Sequence, residues 1–209
     1  IVGGRIVPSF TTNWLKRENP GRQPAVFDRF DLAAMFVAGA ALAAWVATPL
    51  HPTLEVPAGL MLVAAGALQV ARLARWAGDR TLAEPLVTVL HVAFAFVPLG
   101  FLLSGYALLS GDVGAQSAGI HAWTAGAVGM MTLAVMTRAT RGHSGRPLTA
   151  PLATVLIYVA VFLAALLRIA AAFLPEHSVA LLAAAGIAWV LAFSGFAVAY
   201  GGMLLLPRP

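Results

Sequence analysis

The chain has 209 residues, 60% hydrophobic and 10% charged, where a soluble domain carries about 25% charged residues. This excludes an ordinary water-soluble core, and the formal net charge of +5 does not signal nucleic acid, because the basic residues sit between long apolar runs. With no cysteine, disulfides, thiolate metal sites and a thiol nucleophile are excluded, so any metal would fall to His, Met or carboxylate ligands.

Residues 1–29 are polar and basic, lack the apolar core of a signal peptide, and read as a cytoplasmic polar segment. Because the first residue is Ile1 and not Met, the chain reads as a piece of a longer protein. Apolar runs near the bilayer-spanning length follow at roughly 30 to 49, 57 to 74, 84 to 109, 115 to 137, 152 to 174 and 178 to 206. Breakers bound each of them: Pro49 and Pro52, then Gly78 and Asp79, then Gly111, Asp112 and Gly114, then "RGHSGRP", then Pro175 and Glu176. The second run is the weakest, since Gln69, Arg72 and Arg75 crowd its end. The fold class is therefore all-α, a polytopic transmembrane helix bundle with six predicted spans over 30–206. No internal repeat is present beyond fragments as short as "LHVAF" and "IHAWT".

Positive charge orients the spans independently of hydropathy. Arg5, Lys16, Arg17, Arg22 and Arg29 precede the first span, and Arg72, Arg75 and Arg80 surround the second connection. Arg138, Arg141 and Arg146 follow the fourth span, and Arg208 follows the sixth. The connections that hold His51 with Glu55, and Asp112, carry no basic residue. Every basic residue except Arg168 thus falls on one side, the expected cytoplasmic side, and both ends of the chain are expected there.

Ionisable residues within spans are costly in lipid and mark candidate sites, which singles out His91, His121 and Arg168. His91 reads either as a ligand or proton relay, or as a hydrogen-bonding residue between helices. Pro98, seven positions on, leaves the Phe94 carbonyl without its helical donor and allows a kink. His121 heads a nearly smooth strip, because Ala125 and Gly129 follow at i+4 and i+8. Such a strip admits a neighbouring helix or a flat ligand, with the imidazole available to a metal. Arg168 either snorkels to the outer interface or holds an anionic group, such as a haem propionate, Glu176 or a transported anion. His51 and His177 lie at the outer rim, where they face water or form a metal pair. His143 reads as part of a solvated loop, "TRATRGHSGRPL", whose Arg138, Arg141 and Arg146 could meet lipid head groups. Met130, Met131 and Met136 read as packing residues. No Walker loop, dinucleotide GxGxxG, HExxH or GxSxG is present, which leaves hydrolase and nucleotide chemistry without support.

The stretch "IHAWTAGAVGMMTLAVMTRATRGHSGRPL" at 120–148 resembles the signature of the NnrS family, supported by "GGRIVPSFTTNWL" at 3–15 and "LHVAFAFVPLGFLLSG" at 90–105. The resemblance implies a bacterial inner-membrane protein that binds haem and copper and is associated with nitric oxide, nitrosative stress and denitrification. It implies His91 and His121 as metal-binding and Arg168 as cofactor-binding residues, with the lipid bilayer and nitric oxide as partners and no nucleic acid. Family members have about twelve spans and a His-x-His-Glu-Met motif in the first half, which this sequence lacks. The chain is thus expected to be the C-terminal half, partnered by the N-terminal half of the same protein, which would supply part of the ligand set. The depths of His91 and His121, counted from opposite faces, predict separate centres rather than one shared haem. The rival reading is a cofactor-free transporter or gas-permeation bundle, with the histidines as proton relay and Arg168 as anion binder.

Overall fold

A computed structural model describes residues 2–205. Helices α1 (Val2–Glu18), α2 (Arg29–Ala47), α3 (Glu55–Ala74) and α4 (Pro85–Ser110) are followed by α5 (Val113–His143), α6 (Leu152–Phe173) and α7 (Ser178–Leu205). The stretches carrying α2 to α7 are long and apolar enough to cross a membrane, so the six expected spans are all present within a residue or two of their expected starts. Among the described residues there are no strands. Arg208 lies outside the described residues.

Local chemistry sets the helix ends. Asp28 and Asp31 form a reciprocal capping box at the start of α2: the Asp28 carboxylate accepts from the Phe30 and Asp31 amides, and the Asp28 amide donates to Asp31. Glu84 caps α4 through the Leu86 amide at 3.0 Å and also accepts from Ala150 at 3.1 Å, which fastens the approach to α6. Pro85 at the first turn and Gly111 in the left-handed region, φ +74°, close the two ends of α4. Asp112 starts α5 by accepting from Ala115. The α4 helix runs unbroken through Pro98, and the Trp123 indole donates to the neighbouring Val97 carbonyl at 3.0 Å.

Helix α4 is the most buried element, with α3, α5 and α1 packed around it; α2 lies outside α3, and α6 and α7 pair beyond α5. Close packing rests on small residues, as association in lipid requires. A Cβ at Gly59 would lie 3.2 Å from the Gly105 carbonyl, and one at Gly105 would lie 2.9 Å from that of Gly59, so the α3 and α4 backbones touch there. Large apolar side chains point outward from α7, including Val179, Ile187, Val190, Leu191 and Val198.

Within the polar segment at 1–29, α1 buries Gly4, Val7, Thr11, Trp14 and Leu15 against the spans. Its first turn reaches well into the bundle, since a Cβ at Gly3 would lie 3.2 Å from the Phe94 ring and 3.4 Å from the Met131 methyl. The stretch Thr137–His143 is the helical end of α5 rather than loop. There Arg138 is buried beneath the Phe10 ring, 4.3 Å from its centre, and the Arg141 Nε donates to the Pro147 carbonyl. The helical end of α5 extends past the apolar run because tertiary contacts cover its polar residues.

At the basic end the arginines are structural. Arg72 Nε donates to Asp31 at 2.8 Å with both side chains almost wholly buried, and Arg72 Nη1 donates to Gln69, whose amide donates to the Ala34 carbonyl. Arg75 bridges Asp28 and Asp31, and its guanidinium holds the exposed Asp28 carboxyl below the usual carboxylate range. Arg80 donates to the backbone at Asn19, Pro20 and Arg22, tying the α1–α2 connection to the α3–α4 connection. Removing one member of a buried pair strands the other charge. Asp31→Ala should therefore lower the free energy of unfolding in detergent by about 3–5 kcal/mol, and Asp28→Ala, at the exposed edge of the same network, by clearly less.

Candidate functional site

The structure separates the two intramembrane histidines. His91, on α4, is buried, and its Nε2 lies 2.8 Å from the Thr11 hydroxyl of α1. Thr11 spends its own proton on the Val7 carbonyl at 2.8 Å, so the hydroxyl acts as acceptor and His91 Nε2 carries the proton. The bare Nδ1 is left without a partner and faces Gly78, where a Cβ would lie only 2.6 Å away. Gly78 follows Ala77, a buried residue held at φ 54°, so the α3–α4 turn is pressed tightly onto the imidazole. Nε2 is thus engaged and Nδ1 enclosed in this arrangement.

His121 sits differently. It is half-buried at one end of a cleft of about 640 Å³ between α5, α6 and α7. Ala125 and Gly129 line the α5 wall, as their spacing predicts, and Arg168 of α6 lines the same cleft. The facing wall of α7 contributes Trp189 and Phe193, whose rings lie 4.7 Å apart. Between His121 and Met130 the helix loosens into a π segment, Ala122–Gly129, a geometry that recurs at functional sites. Its two buried glycines admit rings against the backbone: a Cβ at Gly126 would overlap Phe96, and one at Gly129 would overlap Trp189. Trp189 therefore closes the floor of the cleft directly on the His121 strip.

Chemically, the cleft joins one imidazole, one guanidinium and two threonine hydroxyls, Thr124 and Thr132, to an otherwise apolar and aromatic lining. Such a lining suits a flat, largely apolar ligand with an anionic edge: imidazole for a metal, guanidinium for a carboxylate, and small and aromatic side chains for the plane. Arg168 has no ion pair with Glu176 or any other carboxylate among the described residues. A multidentate copper site does not fit this chain by itself, since no group of three or more His, Asp or Glu side chains able to hold a metal is found among the described residues. The methionines do not converge: Met130 is in the core, Met131 meets Gly3, and Met136 is exposed. His51 and His177 are exposed at the rim.

Reading the residues alone missed Thr11 as the partner of His91 and Trp189 as the floor of the cleft. The first had a signal, since Gly4, Val7, Thr11 and Trp14 recur at helical spacing within an apparently polar segment. The second had none, because it depends on how α7 packs. Thr11→Val should cost about 1–3 kcal/mol in detergent unfolding by stranding a buried imidazole donor, whereas Thr11→Ser, which keeps the acceptor, should stay near the parent protein.

The family model described as NnrS protein matches residues 1–208, and the chain belongs to the NnrS family. No curated protein and no solved structure matches the chain.

Proposed function

We propose that this NnrS-family membrane chain holds a haem in the cleft between α5, α6 and α7 and serves in nitric oxide metabolism or resistance to nitrosative stress. The observation that carries this reading is the convergence of His121 and Arg168, far apart in sequence, on one apolar cleft. His121 is the metal-ligating residue in this reading, Arg168 the propionate-binding residue, and Ala125 with the Trp189 ring that covers Gly129 the surface against which the macrocycle lies. A bound haem would supply a redox-active iron able to take a diatomic gas. His91 would become a ligand for a second centre through Nδ1 only if the α3–α4 turn moved Gly78 away from it. Copper, if bound, needs ligands from beyond the residues described.

The test is the absorption spectrum of the full-length protein purified after haem-replete expression. A Soret band is expected, and His121→Ala should remove one haem signal. Arg168→Leu should weaken haem retention about tenfold or more, the size of a lost charge-assisted hydrogen bond, and Arg168→Lys by less. An unchanged Soret band in His121→Ala would overturn the assignment, and a colourless parent protein would favour the transporter reading.

The basic end is assigned to the cytoplasm, so that the His121 cleft opens in the outer half of the bacterial inner membrane. Single cysteines at Glu55 and Asp112 should react with an impermeant thiol reagent from the periplasm, and one at Ser144 should not. The reverse pattern would invert the topology.

A further inference from the structure

Helices α4 and α6 both start at the basic end, and a groove runs between them. Its walls are Pro85, Val89 and Val92 of α4 and Val155, Val159 and Phe162 of α6, each set recurring at helical spacing. Met130 of α5 completes the lining, and at the deep end Phe162 packs edge-on against Phe96, ring centres 6.0 Å apart. The groove is separate from the His121 cleft, which meets the opposite face of α6 at Ala164 and Arg168.

Its dimensions are those of one hydrocarbon chain. Each wall runs seven residues, about 10 Å, inward from the helix start, within the half-thickness of about 15 Å that one leaflet contributes. A volume of about 260 Å³ over that length gives a cross-section of roughly 25 Å², about 5 Å across, whereas a helix with its side chains is about 10–12 Å wide. The polar groups of the lining are spent: the Thr88 hydroxyl donates to the Thr81 carbonyl, and the Tyr158 hydroxyl is bonded to Thr137. The groove therefore offers contact to hydrocarbon and no partner to a polar ligand. Val159 is 47% exposed on its rim and Leu82 74% at its mouth, so a chain enters from the lipid side.

The mouth is cationic. Glu84, beside Pro85, is buried and accepts from the Ala150 amide, which draws the α5–α6 connection over the mouth. That connection, residues 144–151, carries Arg146 and no acid. Arg146 is exposed, has no ion-pair partner among the described residues, and stands four residues from Ala150, at most about 14 Å along the chain. Arg141, whose Nε donates to the Pro147 carbonyl, adds a second guanidinium to the same connection. Asp79, the acid of the α3–α4 connection, is paired with Arg22. We propose that the α4–α6 groove holds one acyl chain of an anionic phospholipid from the leaflet at the basic end, with its phosphate at Arg146.

The test measures the phospholipid that the full-length protein retains through purification in mild detergent, by mass spectrometry of the extracted lipid. Val159→Trp fills the groove, and Leu156→Trp, exposed on the same helix outside the groove, is the control. Val159→Trp should lower retained phosphatidylglycerol about fivefold or more, and Leu156→Trp should leave it unchanged. Delipidated parent protein offered phosphatidylglycerol or phosphatidylcholine in mixed micelles should prefer the former about fivefold, the effect of one basic residue at an anionic head group, and Arg146→Gln should abolish the preference. A diazirine side chain at Val159, irradiated in native membranes, should form a phospholipid adduct whatever the Trp variant does to folding. Equal retention by Val159→Trp and the parent would sink the groove assignment, and equal uptake of the two lipids by the parent would sink the anionic head group. An adduct to a protein segment instead of a lipid would show that protein covers the groove and overturn the proposal.

Discussion

The Asp31–Arg72 pair is where three helices meet, and the register of the basic end follows from it. Each partner is only about 5% exposed, so neither charge has water to fall back on. Arg72 comes from the end of α3, Asp31 from the first turn of α2, and α1 crosses directly over the guanidinium at Gly4, where even a Cβ would lie 2.8 Å from Nη2. Gln69 and the Trp76 ring complete the enclosure. Lipid gives helices little hydrophobic reason to associate, so a polar contact that cannot be exchanged for water fixes position more firmly than apolar surface does.

Away from that end, contact is made by the removal of side chains. Gly59 and Gly105 bring α3 and α4 together, and Gly119 lets α5 approach the backbone of α4 at Gly100 and Ser104. Gly100 also opens the notch that Trp123 fills, with its indole spent on the Val97 carbonyl. The same device serves packing at Gly119 and Gly126 and shapes the cleft at Gly129, which is why a glycine-rich α5 reads ambiguously as either interface or binding face.

The six spans were legible because hydropathy reports the solvent, and in lipid every crossing helix must be apolar over a fixed length. Helix α1 was hidden by the same rule: Arg5, Thr11, Thr12 and Lys16 lower its hydropathy, although its buried face alone is periodic. The His121–Ala125–Gly129 strip could be read from i+4 spacing, and it faces one cleft even though the helix loosens to π geometry there. That Arg168 shares the cleft could not be read, since the pairing of α5 with α6 at that height is a property of packing. The arginines of the basic end were read as a count, and a count cannot distinguish Arg72, locked to a carboxylate, from Arg138, buried under an aromatic ring.

Two histidines of one chain thus end in opposite chemical situations, and the difference lies in what covers them. His91 is enclosed by α1 and by the α3–α4 turn, with one nitrogen committed to Thr11 and the other shut against Gly78. His121 has no such lid: its neighbours at i+4 and i+8 are small, α6 offers a cation, and α7 stands back far enough to leave a cleft. An imidazole becomes a ligand when a lone pair is both available and reachable. The lone pair of His91 is available but not reachable, and making it so would mean displacing the α3–α4 turn at Gly78, which Arg80 ties to the α1–α2 connection. Any chemistry at His91 is therefore coupled mechanically to the α3–α4 turn and its ties to the α1–α2 connection, whereas chemistry at His121 is not.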